Sequence, residues 1–171
     1  MNQPPVVLTT ARLIAEPLVP EHHDAILEMH QDPRAMEGLG GIRDAVATQA
    51  YIQFNVAHWQ RHGFGLWVLR LRDDGDIVGR LVLRHLDLDG VDEVELGYAL
   101  KPPYWGRGLA MEASTRACDY AATELRLASL VAQIRPTNLP SIRLAERLGF
   151  TFEREITHAG TPHALFRRRF G

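Results

Sequence analysis

The chain has 171 residues, a length typical of one domain, and a formal net charge of −2. That charge gives no general attraction for polyanions, so we expect no nucleic-acid partner. The single cysteine, Cys118, excludes an internal disulfide and fits a reducing, cytoplasmic setting. No apolar run approaches the ~18 residues that span a bilayer, and the amino-terminal segment lacks a signal-peptide pattern, so we expect no membrane partner.

The first third of the chain predicts one short strand, at 13–16, and two helices. Pro20 opens the first helix, which runs to about residue 31, and the second helix runs from about 44 to 61 with Gly63 as its carboxyl-terminal cap. One face of the second helix carries residues that recur near the helical period: Val46, Tyr51, Phe54 and Trp59. Between the helices, three glycines predict a mobile loop: Gly38, Gly40 and Gly41.

The middle of the chain predicts an antiparallel meander of three strands, at 66–71, 77–83 and 91–100. Asp-Gly pairs at 74–75 and 89–90 separate these strands, and Asp-Gly is a strong hairpin signal. A helix follows and ends near residue 126. Its alanines recur on one narrow face that can pack close to a sheet: Ala110, Ala113, Ala117 and Ala121.

The last third predicts a strand at 130–134, a short helix at 140–148 and a hairpin of strands at 150–157 and 164–168. Strand, helix and strand in succession imply a right-handed crossover and one parallel pair. The run Arg167-Arg168-Arg169 predicts the end of an edge strand, where charge limits mispairing. The whole chain, 1–171, therefore reads as a single α+β domain.

A glycine-rich turn, Trp105-Gly106-Arg107-Gly108, follows the third meander strand and opens the next helix. The first N–H groups of a helix have no internal partner, and with the helix dipole they form an anion site suited to phosphate. No Gly-Lys-Ser/Thr exists in the chain, which excludes a Walker loop. The dinucleotide-binding pattern G-x-G-x-x-G matches Gly106 and Gly108 but has Met111 in place of its third glycine. That pattern also belongs after the first strand of a parallel unit, not after an antiparallel meander.

Two further motifs give this turn a family context. Gly108 and Ala110 fit the pattern Q/R-x-x-G-x-G/A, with Trp105 in place of Gln or Arg. One crossover later come Asn138-Leu139-Pro140-Ser141 and then Glu146-Arg147-Leu148-Gly149-Phe150. With Thr10-Ala11-Arg12-Leu13 and Asp32-Pro33 upstream, the chain resembles the GNAT superfamily of N-acetyltransferases, in the branch of the ribosomal-protein N-terminal (alanine/serine) acetyltransferases.

The resemblance implies a mixed, mostly antiparallel central sheet with a splayed parallel strand pair and about four helices. It also implies acetyl-CoA as cosubstrate, no metal, and an amine acceptor, and it leaves a homodimer open. Pantetheine would lie between the splayed strands and pair with backbone near Tyr98 to Leu100. The implied cofactor-binding residues are Tyr98, Ala99, Leu100, Trp105, Gly106, Arg107, Gly108, Leu109, Ala110, Met111, Asn138 and Ser141.

Three residues are candidates for the chemistry: Glu93, Glu95 and Ser141. Glu93 and Glu95 share one face of an ideal strand, and a carboxylate there can accept the proton of an incoming amine. We favour Glu95, although a β-bulge would exchange the two. Many GNAT enzymes protonate the leaving thiolate with a tyrosine, and the corresponding residue here is Ala145, so that acid is missing. Two alternatives stay open: Ser141 donates a hydrogen bond to the thiolate, or the thiolate leaves without being protonated.

The expected reaction is direct attack of a primary amine, either a protein N-terminal α-amine or a small molecule, on acetyl-CoA in a ternary complex. The alternative is a non-catalytic acyl-CoA-binding sensor, which the absent tyrosine keeps open. Acceptor contacts are expected from the loop at 36–42, the second helix and the turn at 157–163. Cys118 is expected to be buried and inert, and His58 and His62 to form a surface pair that binds no metal.

Overall fold

A computed structural model describes residues 4–171, in which eight strands form one open sheet in the order β1-β2-β3-β4-β5-β6-β8-β7. All neighbouring strands are antiparallel except β5 and β6. The strands are β1 (Leu8–Thr9), β2 (Leu13–Pro17), β3 (Leu66–Leu71), β4 (Ile77–Leu88), β5 (Val91–Leu100), β6 (Ser129–Ile134), β7 (Thr151–His158) and β8 (Thr161–Arg169). The predicted mixed sheet with one parallel pair is confirmed.

Five α-helices and three short 3₁₀ turns complete the described part of the fold. The helices are α1 (His23–Gln31), α2 (Pro33–Met36), α3 (Ala45–His62), α4 (Leu109–Thr123) and α5 (Leu139–Arg147). The 3₁₀ turns are Pro20–His22, Glu37–Leu39 and Pro102–Tyr104. Within residues 4–171, every helix is too short or too polar to cross a membrane.

The two faces of the sheet carry separate cores. The core under α4 contains Trp67 and Leu83, and the small side chains Ala113 and Ala117 let the helix approach the strands closely. Cys118 lies in this core and is fully buried, as expected from the sequence. The other core lies between the sheet and the helices α1 and α3.

The parallel strands β5 and β6 share a single aligned pair, Glu95 with Val131. Towards their carboxyl ends a narrow cavity separates them, lined by Gly97 and Tyr98 on β5 and by Ala132 on β6. The register of β5 with β4 is continuous from end to end, so no bulge changes the face of its side chains. A Cβ at Gly97 would lie 2.9 Å from Val82 Cγ1, which explains the glycine as a close-approach position.

The buried face of α3 differs from the predicted one. Val46 is 79% exposed and Phe54 is 58% exposed, whereas Thr48 and Asn55 are fully buried. Both buried polar side chains have local partners, since Thr48 Oγ1 hydrogen-bonds His30 Nδ1 at 2.9 Å and Asn55 Nδ2 donates to the carbonyl of Tyr51 at 2.8 Å. Hydrophobic periodicity alone therefore assigns the wrong face.

Two further expectations need correction. The arginines 167–169 do not end an edge strand, because β8 lies between β6 and β7, and β7 forms that edge of the sheet. The predicted glycine loop contains the 3₁₀ turn Glu37–Leu39, closed by a hydrogen bond of 3.0 Å from the Gly41 amide to the Met36 carbonyl.

Candidate active site

The connection from β5 to α4 contains two glycines in left-handed conformations, Gly106 with φ 70° and Gly108 with φ 76°. Glycine adopts this region without the strain that a Cβ introduces. Gly108 is also the N-cap of α4, and its lack of a side chain leaves the amides of the first turn without a side-chain cap. The chain therefore turns sharply and exposes its backbone where α4 begins.

The backbone amides of residues 106–111 donate no hydrogen bond to any acceptor in the described part of the chain. The first helical bond of α4 runs from the Glu112 amide to the Gly108 carbonyl, at 3.1 Å. Residues 105–108 are exposed, while Leu109 is buried and Ala110 and Met111 are half-buried. Unpaired amides at a helix N-terminus fit a diphosphate, because the dipole adds positive potential at the same place.

Arg12 braces this turn from the segment just before β2. Its backbone amide and its Nε donate to Glu112, at 2.8 and 2.7 Å, and its Nη1 donates to the Arg107 carbonyl at 2.8 Å. Although burial opposes ionisation, hydrogen bonds from Thr10 and Arg12 hold the pKa of Glu112 below its usual value. Arg12 thus fixes the turn and adds a cation beside the unpaired amides.

Trp105 and Arg107 flank the turn. The indole Nε1 of Trp105 donates to the Leu100 carbonyl at 2.8 Å, and the residue is 50% exposed. The Arg107 guanidinium lies 5.6 Å from the ring centre of Tyr104 and is open to solvent. Both side chains border the exposed amides.

Two cavities meet at Gln133 on β6. The narrow one has a volume of about 70 Å³ and is lined by residues that include Tyr98, Asn138 and Ser141. The wide one, of about 970 Å³, includes Glu95 in its lining. Gln133 lines both cavities, and its Nε2 donates to Glu95 Oε2 at 3.0 Å. Gln133 therefore connects the narrow cavity to Glu95.

The two candidate carboxylates have different partners. Glu93 is held by Arg167 through two hydrogen bonds, of 2.8 and 3.0 Å, and lines neither cavity. Glu95 pairs with Arg84, whose Nε lies 3.2 Å from Oε1. Burial disfavours the charged form of Arg84, but attraction to the Glu95 carboxylate is stronger than this effect. The pKa of the Arg84 guanidinium is therefore raised.

Asn138 and Ser141 meet Tyr98 in the narrow cavity. Asn138 caps α5, since its Oδ1 accepts the Ser141 amide at 3.3 Å. Burial raises the pKa of the Tyr98 phenol, and a hydrogen bond to Ser141 opposes part of that rise. A Cβ at Gly38 would lie 2.6 Å from Asn138 Nδ2, so the Glu37–Leu39 turn packs directly on this cap.

The remaining predicted positions lie around these cavities or beneath them. Ala99 and Leu100 are buried in the two cores and line neither cavity. Ala145, the position that corresponds to the tyrosine of many GNAT enzymes, is buried and lines the narrow cavity. The expected acceptor segments contribute Gly38 and Leu39 to the narrow cavity, and Phe54, Thr157, His158 and Pro162 to the wide one.

Three residues of the site were missed by the sequence analysis: Arg12, Arg84 and Gln133. Arg12 belongs to a segment that was noted only for its family resemblance. Gln133 interrupts an otherwise apolar strand, a signal for a polar site that was available but not used. Arg84 is identified only by the strand register, which places it opposite Glu95.

The pair His58 and His62 is not a surface pair. His58 is 7% exposed, and its Nδ1 lies 2.8 Å from the Phe64 carbonyl while its Nε2 accepts the His85 amide at 3.0 Å. Burial first, and nearby cationic groups second, lower the pKa of His58 to about 4, although the bond to Phe64 opposes the shift. Within residues 4–171, no group of three or more metal-binding side chains occurs.

The comparisons with known proteins agree with this geometry. The family model described as an acetyltransferase (GNAT) domain matches residues 12–151. The chain belongs to the GNAT acetyltransferase family. A GNAT neighbour, the acetyltransferase of Agrobacterium tumefaciens str. C58, has a TM-score of 0.87 and 29% identity over 99% of this chain and 98% of its own.

Two other GNAT relatives carry functional names. The FsC-acetyl coenzyme A-N(2)-transacetylase of Aspergillus fumigatus is 29% identical over 156 residues, 84% of this chain and 64% of that protein. RimL, a ribosomal L7/L12 alpha-N-protein acetyltransferase solved with coenzyme A, shares the fold, with a TM-score of 0.80 at 18% identity over 96% of this chain and 98% of its own. Enzymes of the GNAT family use acetyl-CoA to acetylate amines.

Proposed function

We propose that this protein transfers the acetyl group of acetyl-CoA to a primary amine by direct attack within a ternary complex. The observation that carries the proposal is the row of unpaired amides at 106–111, which follows the carboxyl end of β5. The same strand lines a narrow cavity that reaches Gln133, the side-chain partner of Glu95. A diphosphate on the amides and a pantetheine arm in the cavity would bring a thioester to Glu95. The reaction needs no protein nucleophile, which agrees with the burial of Cys118.

The residues present fit the cosubstrate. The amides of Gly106 to Met111 would bind the diphosphate, with Arg107 and Arg12 supplying positive charge nearby. Asn138, Ser141 and the backbone of Tyr98 to Leu100 would hold the pantetheine arm. Acetyl-CoA itself supplies an acyl group activated as a thioester.

The acceptor amine would occupy the wide cavity, where Glu95 accepts its proton directly or through water. Glu95 suits this role better than Glu93, because Glu95 lines the wide cavity whereas Glu93 lines neither cavity. An α-amino group has a pKa of about 8, against about 10.4 for lysine, so a weakly basic carboxylate suffices for an α-amine. The names of RimL and of the Aspergillus enzyme support amine acceptors of the α-amino or small-molecule type.

The leaving thiolate would be stabilised by Ser141. Its contact with Tyr98 links it to a second hydroxyl, the phenol, whose pKa burial raises further above neutral pH. The pair can substitute for the tyrosine that is absent at Ala145. Backbone N–H groups near Leu100 are the candidates for the developing oxyanion.

The test is release of free coenzyme A thiol from acetyl-CoA in the presence of peptides, polyamines and aminoglycosides. We expect amine-dependent release with at least one acceptor class, and a dissociation constant for coenzyme A in the micromolar range by calorimetry. Tight binding without release across the whole panel would support the acyl-CoA sensor. Absence of coenzyme A binding would contradict both functions.

A further inference from the structure

Arg80 on β4 is a buried arginine without a counter-ion. It is 6% exposed, it makes no hydrogen bond or ion pair with any residue from 4 to 171, and its Nε is completely buried. Two other carboxylates, Glu95 and Glu28, are already paired with Arg84 and Lys101. A buried guanidinium is costly unless an anion compensates its charge.

A second arginine and a tyrosine join Arg80. The guanidinium carbons of Arg43 and Arg80 lie 4.9 and 5.0 Å from the centre of the Tyr51 ring, and the Tyr51 hydroxyl is buried without a partner in the described chain. Among the described residues, the guanidinium of Arg43 has a polar side-chain contact only with His30 Nε2, at 3.4 Å. Burial first, and then Arg80 and Arg43, lower the pKa of His30 to about 3, so this imidazole is neutral and offers no charge to either arginine.

This cluster lies on the same face of the sheet as Glu95. Side chains alternate along a strand, so Arg80 and Arg84 of β4 point to one side, and Arg84 reaches Glu95 across the strand pair. Three residues lie between the two arginines, which are about 13 Å apart along the strand. An extended molecule of about that length, such as a short peptide, could place its amine at Glu95 and its carboxylate at the cluster.

We infer that Arg80 and Arg43, with the Tyr51 hydroxyl, form an anion subsite that receives a carboxylate carried by the acceptor amine. The inference rests on the proposed function, and it narrows the acceptor to short peptides or other extended amines with a free carboxylate. The ligand would supply the negative charge that the protein does not provide, which gives specificity against amines that lack it.

The first experiment compares acids with their amides. Glycylglycine, triglycine and tetraglycine are each assayed for thiol release beside the corresponding amide. We expect at least one acid to exceed its amide in kcat/KM by 10-fold or more. Equal values for all three pairs would overturn the subsite, while release with either kind of amine would still support acetyl transfer.

The second experiment uses Arg80→Met, with Arg43→Gln as a further variant and Arg116→Met as the matched control on the outside of α4. Arg80→Met removes an uncompensated buried charge, so we expect its melting temperature to equal or exceed that of the wild type. We expect the preference for the acid to disappear in Arg80→Met, to weaken in Arg43→Gln and to persist in Arg116→Met. A destabilised Arg80→Met together with an unchanged preference in Arg43→Gln would assign Arg80 a purely structural role and overturn the inference.

A third measurement does not depend on catalysis. Propionate carries a carboxylate but no amine, and propionamide lacks the charge. We expect millimolar propionate to raise the melting temperature of the wild type, propionamide to have no effect, and Arg80→Met to respond to neither. A response to propionate without thiol release from any amine would keep the subsite and contradict the proposed acetyl transfer.

Discussion

Glu93 and Glu95 are two residues apart on one face of β5, yet different arginines hold them. Arg167 occupies both oxygens of Glu93 and also bonds Glu153, so Glu93 belongs to a network that ties β5 to β8 and β7. Glu95 instead lines the wide cavity and contacts Gln133 at the junction with the narrow one. The strand places the pair on one face, and the neighbouring strands decide which of the two lines a cavity.

We expect Glu95→Gln to lower kcat/KM about 100-fold at pH 7, since loss of a general base typically costs at least that much. The pH profile identifies the cause. The activity of the variant should rise with pH until the free amine is deprotonated by solvent, whereas the wild type should reach its plateau at lower pH. The measurement is thiol release from pH 6 to pH 10 at saturating acetyl-CoA.

Glu93→Gln is the matched control for that prediction. It removes the same charge two residues away, but Arg167 then keeps only Glu153 as an ionic partner among the described residues. We expect near wild-type kcat/KM and a lower melting temperature. If the two variants lost activity equally, with the same pH profile, Glu95 would not be the base.

At the scale of elements, the start of α4 connects backbone conformation to cosubstrate binding. Gly108 has φ 76°, so a side chain there strains the turn, and a Cβ would also lie 3.4 Å from Arg12 Nη2. The same turn carries the unpaired amides and the Arg107 carbonyl that Arg12 holds. A change in the turn should therefore disturb the alignment of the amides.

We expect Gly108→Ala to weaken coenzyme A binding by 10-fold or more and to destabilise the fold by about 1 kcal/mol. Gly63→Ala is the control, because Gly63 has φ 74°, a Cβ there would meet no described atom within 4 Å, and the residue ends α3 away from the site. That variant should carry the same loss of stability with unchanged binding. Calorimetric titration with coenzyme A measures the affinity, and thermal melts measure the stability. Equal affinity in the two variants would contradict the proposed binding of the diphosphate by the amides of residues 106–111.

The sequence predicted most elements because their signals are local. The Asp-Gly turns defined the meander, and the glycine turn with the Asn138–Ser141 motif indicated the family. The buried face of α3 was not predictable from hydrophobic spacing, because it includes the polar residues Thr48 and Asn55, and the partner of Thr48, His30 on α1, is known only after folding. The placement of β8 inside the sheet, and with it the pairing of Arg167 and Glu93, depends on long-range strand order.

At the scale of the whole molecule, two buried neutral histidines make the fold sensitive to mild acid. His30 and His58 have pKa values of about 3 and about 4 in the folded protein, chiefly because burial disfavours their charged forms. Both side chains hold elements together, His30 through Thr48 of α3 and His58 through the carbonyl of Phe64 and the amide of His85. Protonation therefore conflicts with the packing of α1 and α3 on the sheet.

The sign of the pH effect follows from these values. The unfolded chain takes up a proton at each histidine near pH 6.5, while the folded protein does not until pH 4 or below, so stability is complete above pH 6.5 and falls as the pH decreases. We expect each histidine to remove about 1.6 kcal/mol between pH 6.5 and pH 5, because half of the unfolded imidazoles are already protonated at pH 6.5. Urea unfolding at these two values measures the loss, and His30→Gln should reduce it by about half, whereas the exposed His158→Gln should not. A free energy of unfolding that stays constant between pH 6.5 and pH 5 would show that the two imidazoles are charged or solvated in the folded protein.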